Sequence, residues 1–184
     1  MKKRCFIAIN LPTTIREQLI KLLAQLKKIN SSPSIRYVKP GGIHLTLHFL
    51  GYLTEEQINQ VKNVLKRLAG EYSATELITK NIDAFPNLSQ PRVIFLANEE
   101  KKNNNLTNLQ KNLGEELEKI GIEVDHRPWQ PHLTLARIAG PCQFKTEYLK
   151  ITPLEIPVNT IELMESQLNP QGVEYKIIAS YDLK

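Results

Sequence analysis

Apolar and polar positions follow two periods along this chain. An apolar run, Phe6-Ile7-Ala8-Ile9, predicts a first buried strand. Leu19, Leu22, Leu23, Leu26 and Ile29 then fall at helical spacing. Thr13 or Thr14 is the expected cap of that helix, and Lys27 and Lys28 crowd its end, where the macrodipole favours cations. Ile35–Val38 predicts a short strand, Lys39–Gly42 a turn, and Ile43–Leu50 a longer strand. Thr54-Glu55-Glu56-Gln57 is a capping-box pattern ahead of a helix carrying Ile58, Val61, Val64, Leu65 and Leu68 and stopping at Gly70. Ala74–Ala84 and Arg92–Ala97 read as strands, and the polar segment Asn98–Asn105 reads as a mobile loop. Leu106, Leu109, Leu113, Leu117 and Ile120 define a third helix, closed by Gly121. The bend at Arg127–Pro131 leads into a strand at His132–Ile138, and an irregular stretch comes after Gly140-Pro141. Strands at Leu154–Val158 and Thr160–Leu168, a hairpin turn at Asn169–Gly172 and a closing strand at Val173–Leu183 complete the pattern.

Within it one phrase occurs twice. His44-Leu45-Thr46-Leu47 recurs letter for letter as His132-Leu133-Thr134-Leu135. Both copies alternate, so in a regular strand the histidine and threonine share one face and the leucines enter the core. The repeat suggests a duplicated or pseudo-symmetric fold whose two halves bring equivalent strands to one cleft. Antiparallel pairing with three helices argues an α+β class, and no Gly-rich loop marks a P-loop or dinucleotide site.

Length and composition narrow this further. A chain of 184 residues suits a single domain, 1–184, with two lobes. The net charge of +5 tilts the partner towards an anion, with nucleic acid or a nucleotide the natural candidate beside a plain solvated basic surface. Cys5 and Cys142 form neither a disulfide framework nor a metal-ligand spacing. The basic start leads into too short an apolar run for a signal peptide, and no stretch approaches a membrane span, so the cytoplasm is the expected compartment.

Two histidines on either side of a phosphodiester would suit in-line attack at phosphorus. One would take a proton from the nucleophile and the other would give one to the leaving oxygen, and imidazole can do both near neutral pH. Thr46 and Thr134 would donate to the non-bridging oxygens. No cofactor or metal is expected in that scheme.

The paired motifs resemble the 2H phosphoesterase superfamily. Phe6–Pro12, Arg36-Tyr37-Val38, His44–Gly51, Pro91–Leu96, Pro131–Arg137 and Leu168–Tyr175 resemble, more narrowly, the RNA 2′,3′-cyclic phosphodiesterases, also called 2′-5′ RNA ligases. The resemblance implies a bilobal, pseudo-twofold fold with two antiparallel sheets lining a central cleft and helices outside. It implies hydrolysis of 2′,3′-cyclic phosphate ends of RNA to 2′-phosphates, with His44 as proton donor to the leaving 3′ oxygen, His132 as the base, and Thr46, Thr134 and Arg137 on the phosphate. An RNA end or oligonucleotide is the implied partner of a monomeric enzyme.

Other positions stay open at this level. By strand parity His48 shares the face of His44 and Thr46, as a charge beside the phosphate or a rim histidine. Arg137, at odd spacing from His132, reaches the cleft only if the strand bulges or ends first. Tyr37 and Trp129 could stack a base or pack in the core. Gly41-Gly42 replaces a more polar pair, and His126 has no evident partner. Three rivals stand beside the main reading. One is 2′-5′ RNA ligation or 2′-5′ oligonucleotide cleavage. Another is a non-catalytic RNA-binding module, and the third is a metal site on His44, His48 and His132.

Overall fold

The structure, a computed structural model, describes residues 1–101, 103–146, 149, 151–170 and 172–184. Parts of the expected loop at 98–105, the irregular stretch after 141 and the turn at 169–172 therefore lie outside the described residues. The elements run in the order β1 (Lys3–Asn10), α1 (Thr13–Ile29), β2 (Ile35–Tyr37), a 3-10 turn (Pro40–Gly42), β3 (His44–Leu53), α2 (Glu55–Glu71), β4 (Thr75–Phe85), β5 (Val93–Glu100), α3 (Asn105–Lys119), β6 (His132–Ile138), β7 (Glu155–Val158), β8 (Thr160–Asn169) and β9 (Gly172–Asp182).

The strands form a curled antiparallel sheet in the order β7-β4-β5-β6-β3-β1-β8-β9, with β2 on β6. Its two halves meet at one bridge, Leu45 opposite Leu133, in the middle of the repeated phrase. One half holds β3 and β1 with the closing hairpin β8–β9, and the other holds β4, β5, β6 and β7. Each half is built on the same local unit, a strand, a helix and an antiparallel motif strand: β1-α1-β3 and β5-α3-β6. This is the α+β bilobal fold that the repeat implied.

The helices cover one face of the sheet. Ile15, Leu19, Leu23 and Leu26 of α1, the buried stripe of α2 and Leu106, Leu109, Leu113 and Leu117 of α3 join the inward residues of both halves in one core. Each such side chain contributes about 1.5–3 kcal/mol relative to exposure. The opposite face carries a small apolar patch, Phe6, Ala8 and Met164 with Tyr175 against it, and is open to a ligand.

Some local signals take the expected form and others do not. The capping box of α2 forms, with Thr54 Oγ1 accepting from Gln57 N (3.2 Å) and Gln57 Oε1 accepting from Thr54 N (2.9 Å). Neither Thr13 nor Thr14 caps α1: both lie in its first turn, behind Pro12, which has no side chain to offer. Both ends of the polar segment at 98–105 belong to regular elements rather than to a loop. Asn98–Glu100 extend β5, and Asn105 begins α3. Glu100 draws the two together, its carboxylate accepting from Leu106 N (2.7 Å) and Thr107 N (3.2 Å) at the positive end of α3. Polarity alone does not separate a loop from an exposed strand end that caps a helix.

Candidate active site

The bridge at Leu45–Leu133 sets the site. With these leucines paired, the antiparallel register places His44 across from Thr134 and Thr46 across from His132. The two histidines are then diagonal neighbours, a spacing of roughly 7–8 Å in a regular ladder. All four side chains are half-buried, and all four stand on the sheet face away from the helices. The repeated phrase thus meets itself across a pseudo-twofold point.

Both rings are held alike. His44 Nδ1 lies 2.9 Å from Gly42 O, and His132 Nδ1 lies 2.8 Å from Gln130 O. A carbonyl oxygen only accepts, so each Nδ1 carries the hydrogen, and Nε2 of each neutral ring, without a hydrogen-bond partner among the described residues, is left as an acceptor. Aromatic rings wall each imidazole. Phe6 (4.8 Å between centroids) and Tyr175 (4.9 Å) flank His44, and Phe85 and Phe95 (5.2 Å each) flank His132. Burial pushes the pKa of His44 down to about 4, and the charges of Arg16, His132 and Arg137 act in the same direction. Burial, seconded by Arg137, also lowers that of His132. His132 and Arg137, from the other lobe, are thus near enough for their charges to bear on His44.

The turns behind the histidines differ. Pro40–Gly42 is held by Arg16, whose Nη1 donates to Gly41 O (2.8 Å), Nε to Leu11 O (2.9 Å) and Nη2 to Asn10 Oδ1 (3.3 Å). Asn10 N in turn donates to the buried Glu162 carboxylate (3.2 Å). The bend before His132 is bracketed by Pro128 and Pro131 and held by Trp129 Nε1, which donates to Thr46 O (3.0 Å), and by Asn98 N, which donates to Pro131 O (3.1 Å).

A bulge in each motif strand redirects the residues beyond it. In β3 Ala8 faces Thr46 but Ile7 faces His48, so Leu47 is the extra residue. In β6 Phe95 faces Thr134 but Ile94 faces Ala136, so Leu135 is the extra residue. Simple alternation therefore fails beyond each threonine. Arg137, opposite Val93, reaches the open face with His132 and Thr134. His48 turns the other way, so its expected place beside the phosphate is corrected. It is buried on the helix side, 2.8 Å from Gln110 O and against Gly114 of α3. Phe49, the counterpart of Arg137, stands on the open face and is 61 % exposed.

Of the two alternatives open for Tyr37 and Trp129, the packed one holds and the base-stacking one does not. Tyr37 is not a cleft residue: its hydroxyl donates to Leu26 O and Asn30 O (3.1 Å each), tying β2 to the end of α1. The Trp129 indole is tied to Thr46 O and packs, partly buried, against the main core. With His48 behind the sheet, the three-histidine metal arrangement does not assemble. Among the described residues no three His, Cys, Asp or Glu side chains converge on a metal-sized site. His126 does find a partner, Glu118 Oε1 at 3.1 Å, out on the surface.

The alternation rule misses Phe49. Arg16 leaves no signal in the sequence because it acts through backbone carbonyls rather than at the site itself. Arg36 reads there only as part of a strand, although its pairing with Arg137 puts it on the open face.

A pair of half-buried imidazoles with free Nε2 atoms, flanked by hydroxyls and an arginine on one concave face, is the equipment of a phosphoesterase. The chain belongs to the LigT-like phosphoesterase family, whose model, "LigT like Phosphoesterase", matches residues 9–95 and 98–175. Among curated proteins it is similar to RNA 2′,3′-cyclic phosphodiesterases. That of Methanothermobacter thermautotrophicus is 28% identical over 181 residues, covering 95% of this chain and 96% of the relative. That of Methanocaldococcus jannaschii is 29% identical over 184 residues, covering 97% and 99%. Among solved structures, TT0787 of Thermus thermophilus superposes with a TM-score of 0.82 at 28% identity, covering 98% of this chain and 97% of that one. E. coli LigT complexed with 3′-AMP superposes with a TM-score of 0.79 at 26% identity, covering 100% and 99%.

Proposed function

We propose that this chain hydrolyses the 2′,3′-cyclic phosphate at an RNA end to a 2′-phosphate, using His132 as base and His44 as acid. One observation carries the reading. Two His-x-Thr pairs from different lobes converge on one face, each with Nδ1 occupied and Nε2 free. The names of the relatives at full length support the same substrate class. The rival readings as a 2′-5′ ligase and as a non-catalytic RNA-binding module have no observation that favours them.

In this reading water lies on the His132 side of the phosphorus. Its oxygen forms the new P–O bond as Nε2 of His132 takes its proton. The P–O3′ bond breaks, and O3′ takes the proton from Nε2 of His44. The product carries a 2′-phosphate and a 3′-hydroxyl, and the net change is the addition of one water. Thr46, Thr134 and Arg137 hold the non-bridging oxygens, where charge builds in the transition state. Because burial keeps His44 neutral in the free protein, the anionic phosphate must supply the field that loads it with a proton. Substrate binding and proton uptake are therefore coupled.

The partner is an RNA end or oligonucleotide bearing the cyclic phosphate, met in the cytoplasm by a single copy of the chain working as one domain. Two free cysteines are in keeping with a reducing compartment. Among the described residues no helix is long and apolar enough to cross a membrane.

The test is incubation with an RNA ending in a 2′,3′-cyclic phosphate, in the presence of EDTA, with identification of the product. A 2′-phosphate is the expected end. A 3′-phosphate would reverse the leaving group, and loss of activity to EDTA would replace the two-histidine scheme with a metal.

A further inference from the structure

Beyond the single bridge at Leu45–Leu133, β3 parts from β6, and β2 takes over the edge of β6 that β3 leaves. The pairing is Ile35 with Ile138, Arg36 with Arg137 and Tyr37 with Ala136. It is locked at both ends by Val38 N to Leu135 O and Ala139 N to Ser34 O (2.9 Å each).

The facing of this short strand is fixed by its neighbours. Ile35 is buried in the core, and the Tyr37 hydroxyl is tied to the last turn of α1. Arg36 therefore has one direction left, the open face beside Arg137. Like charges directly opposite each other on a sheet are destabilising. Among the described residues neither arginine has an acidic partner within ion-pair distance, whereas Arg67 and Arg127 both do. Both Arg36 and Arg137 are exposed. Two unneutralised arginines placed directly opposite each other, on strands that run about 4.8 Å apart, favour an anion between or over their guanidiniums. Arg137 already bears on both histidines. Arg36 lies one strand further out, along the same edge of β6.

The geometry points to Arg36 as a second phosphate subsite, which takes the phosphodiester immediately 5′ of the terminal nucleoside while Arg137 and the threonines hold the cyclic phosphate. The ligand is an oligonucleotide chain, and the protein selects RNA ends over free cyclic mononucleotides. The assignment of the inner phosphate rests on the phosphodiesterase reading above. The cationic subsite itself stands on the β2–β6 register.

The test compares a 2′,3′-cyclic mononucleotide with a short oligonucleotide of the same terminal base. It uses wild type, Arg36→Gln and Arg36→Lys, and a second oligonucleotide whose last internucleotide linkage is an uncharged methylphosphonate. Wild type should prefer the oligonucleotide in kcat/KM by about ten-fold or more, since hydrogen bonds between charged groups are among the stronger ones. Arg36→Gln should erase that preference, and Arg36→Lys should restore part of it. The methylphosphonate should cost wild type the same factor and cost Arg36→Gln nothing more. An Arg36→Gln variant that slows both natural substrates equally overturns the subsite, as does a methylphosphonate penalty undiminished in that variant. Binding of an unreactive oligonucleotide with a terminal 2′-phosphate supplies a readout independent of turnover. Its log K against log[salt] slope should be shallower by about 0.7 in Arg36→Gln, the loss of one single-strand phosphate contact. If wild type turns over neither substrate, the phosphodiesterase reading fails while this slope still decides the subsite.

Discussion

The strands β3 and β6 are two versions of one device. Their first seven residues share one burial pattern, with a bulge just after each threonine and the histidine tied to the carbonyl two residues back. The differences lie after the bulge and before the histidine. After the bulge, β3 has His48 behind the sheet and Phe49 on the open face, where β6 has Ala136 and Arg137. Before the histidine, a glycine turn is held by an arginine in one half, and a proline-bracketed bend is held by an indole in the other. Glycine loses the most freedom on ordering, so Gly41-Gly42 needs an outside hold, whereas proline restricts its own turn. The shared backbone aims the imidazoles. The unshared side chains give the halves different work, with a cation beside His132 and an apolar ring on the His44 side.

The comparison breaks first at the histidines. His44→Ala and His132→Ala should each cut turnover of the cyclic phosphate by about 10²–10⁴, with circular dichroism showing an intact fold. They should part company on an aryl phosphodiester, whose leaving group needs no proton. His44→Ala should keep most of its activity there, and His132→Ala should not. Equal loss in both variants would remove the assignment of acid and base.

Arg137→Gln tests the unshared cation. It should lower kcat/KM by about ten-fold to a hundred-fold through the lost charge-assisted bonds, and NMR titration should show both imidazole pKa values rising, because Arg137 depresses both. Phe49→Ala should leave both titrations in place.

Arg16→Met tests the hold on the glycine turn. Turnover should drop about ten-fold with KM little changed, and the titration of His44 should move up while that of His132 stays. The charges bearing on His44 are Arg16 from α1 and His132 and Arg137 from β6, with the Gly42 carbonyl acting the other way, so a rise in that ring alone marks the loss of the Arg16 charge. Arg16→Lys should restore the charge effect but not the three carbonyl and amide contacts.

The smallest effect is on stability. A histidine depressed from 6.5 to about 4 in the folded state is protonated first in the unfolded chain. Its contribution is complete above pH 6.5 and is lost as pH falls towards 4. Urea midpoints should decline over that window in wild type and decline less in His44→Asn. His48 and His132 shift in the same direction, so the slope is reduced rather than abolished. Inorganic phosphate should flatten it further by loading His44 in the folded protein.

The sequence by itself determined the elements and the phrase that matters. Apolar periodicity marks α1, α2 and α3 because a helix buries a stripe at 3.6-residue spacing. The repeated His-Leu-Thr-Leu announces two equivalent strands with their imidazoles and hydroxyls on one face. Those readings needed only local rules, and within the first four residues of each motif the local rule holds. Arg137, whose position depended on whether the strand bulged, could be left only as a condition.

Tertiary structure decided the rest. The bulges at Leu47 and Leu135 are a matter of register against β1 and β5, and register belongs to pairs of strands, not to one of them. That single extra residue sends His48 behind the sheet, brings Arg137 and Phe49 to the front, and, through β2, sets Arg36 beside Arg137. Tyr37 went to carbonyls at the end of the preceding helix and Trp129 to one far along the chain, which no spacing foretells. A sequence states which side chains could meet a phosphate. Which of them do meet it depends on contacts between segments brought together only by folding.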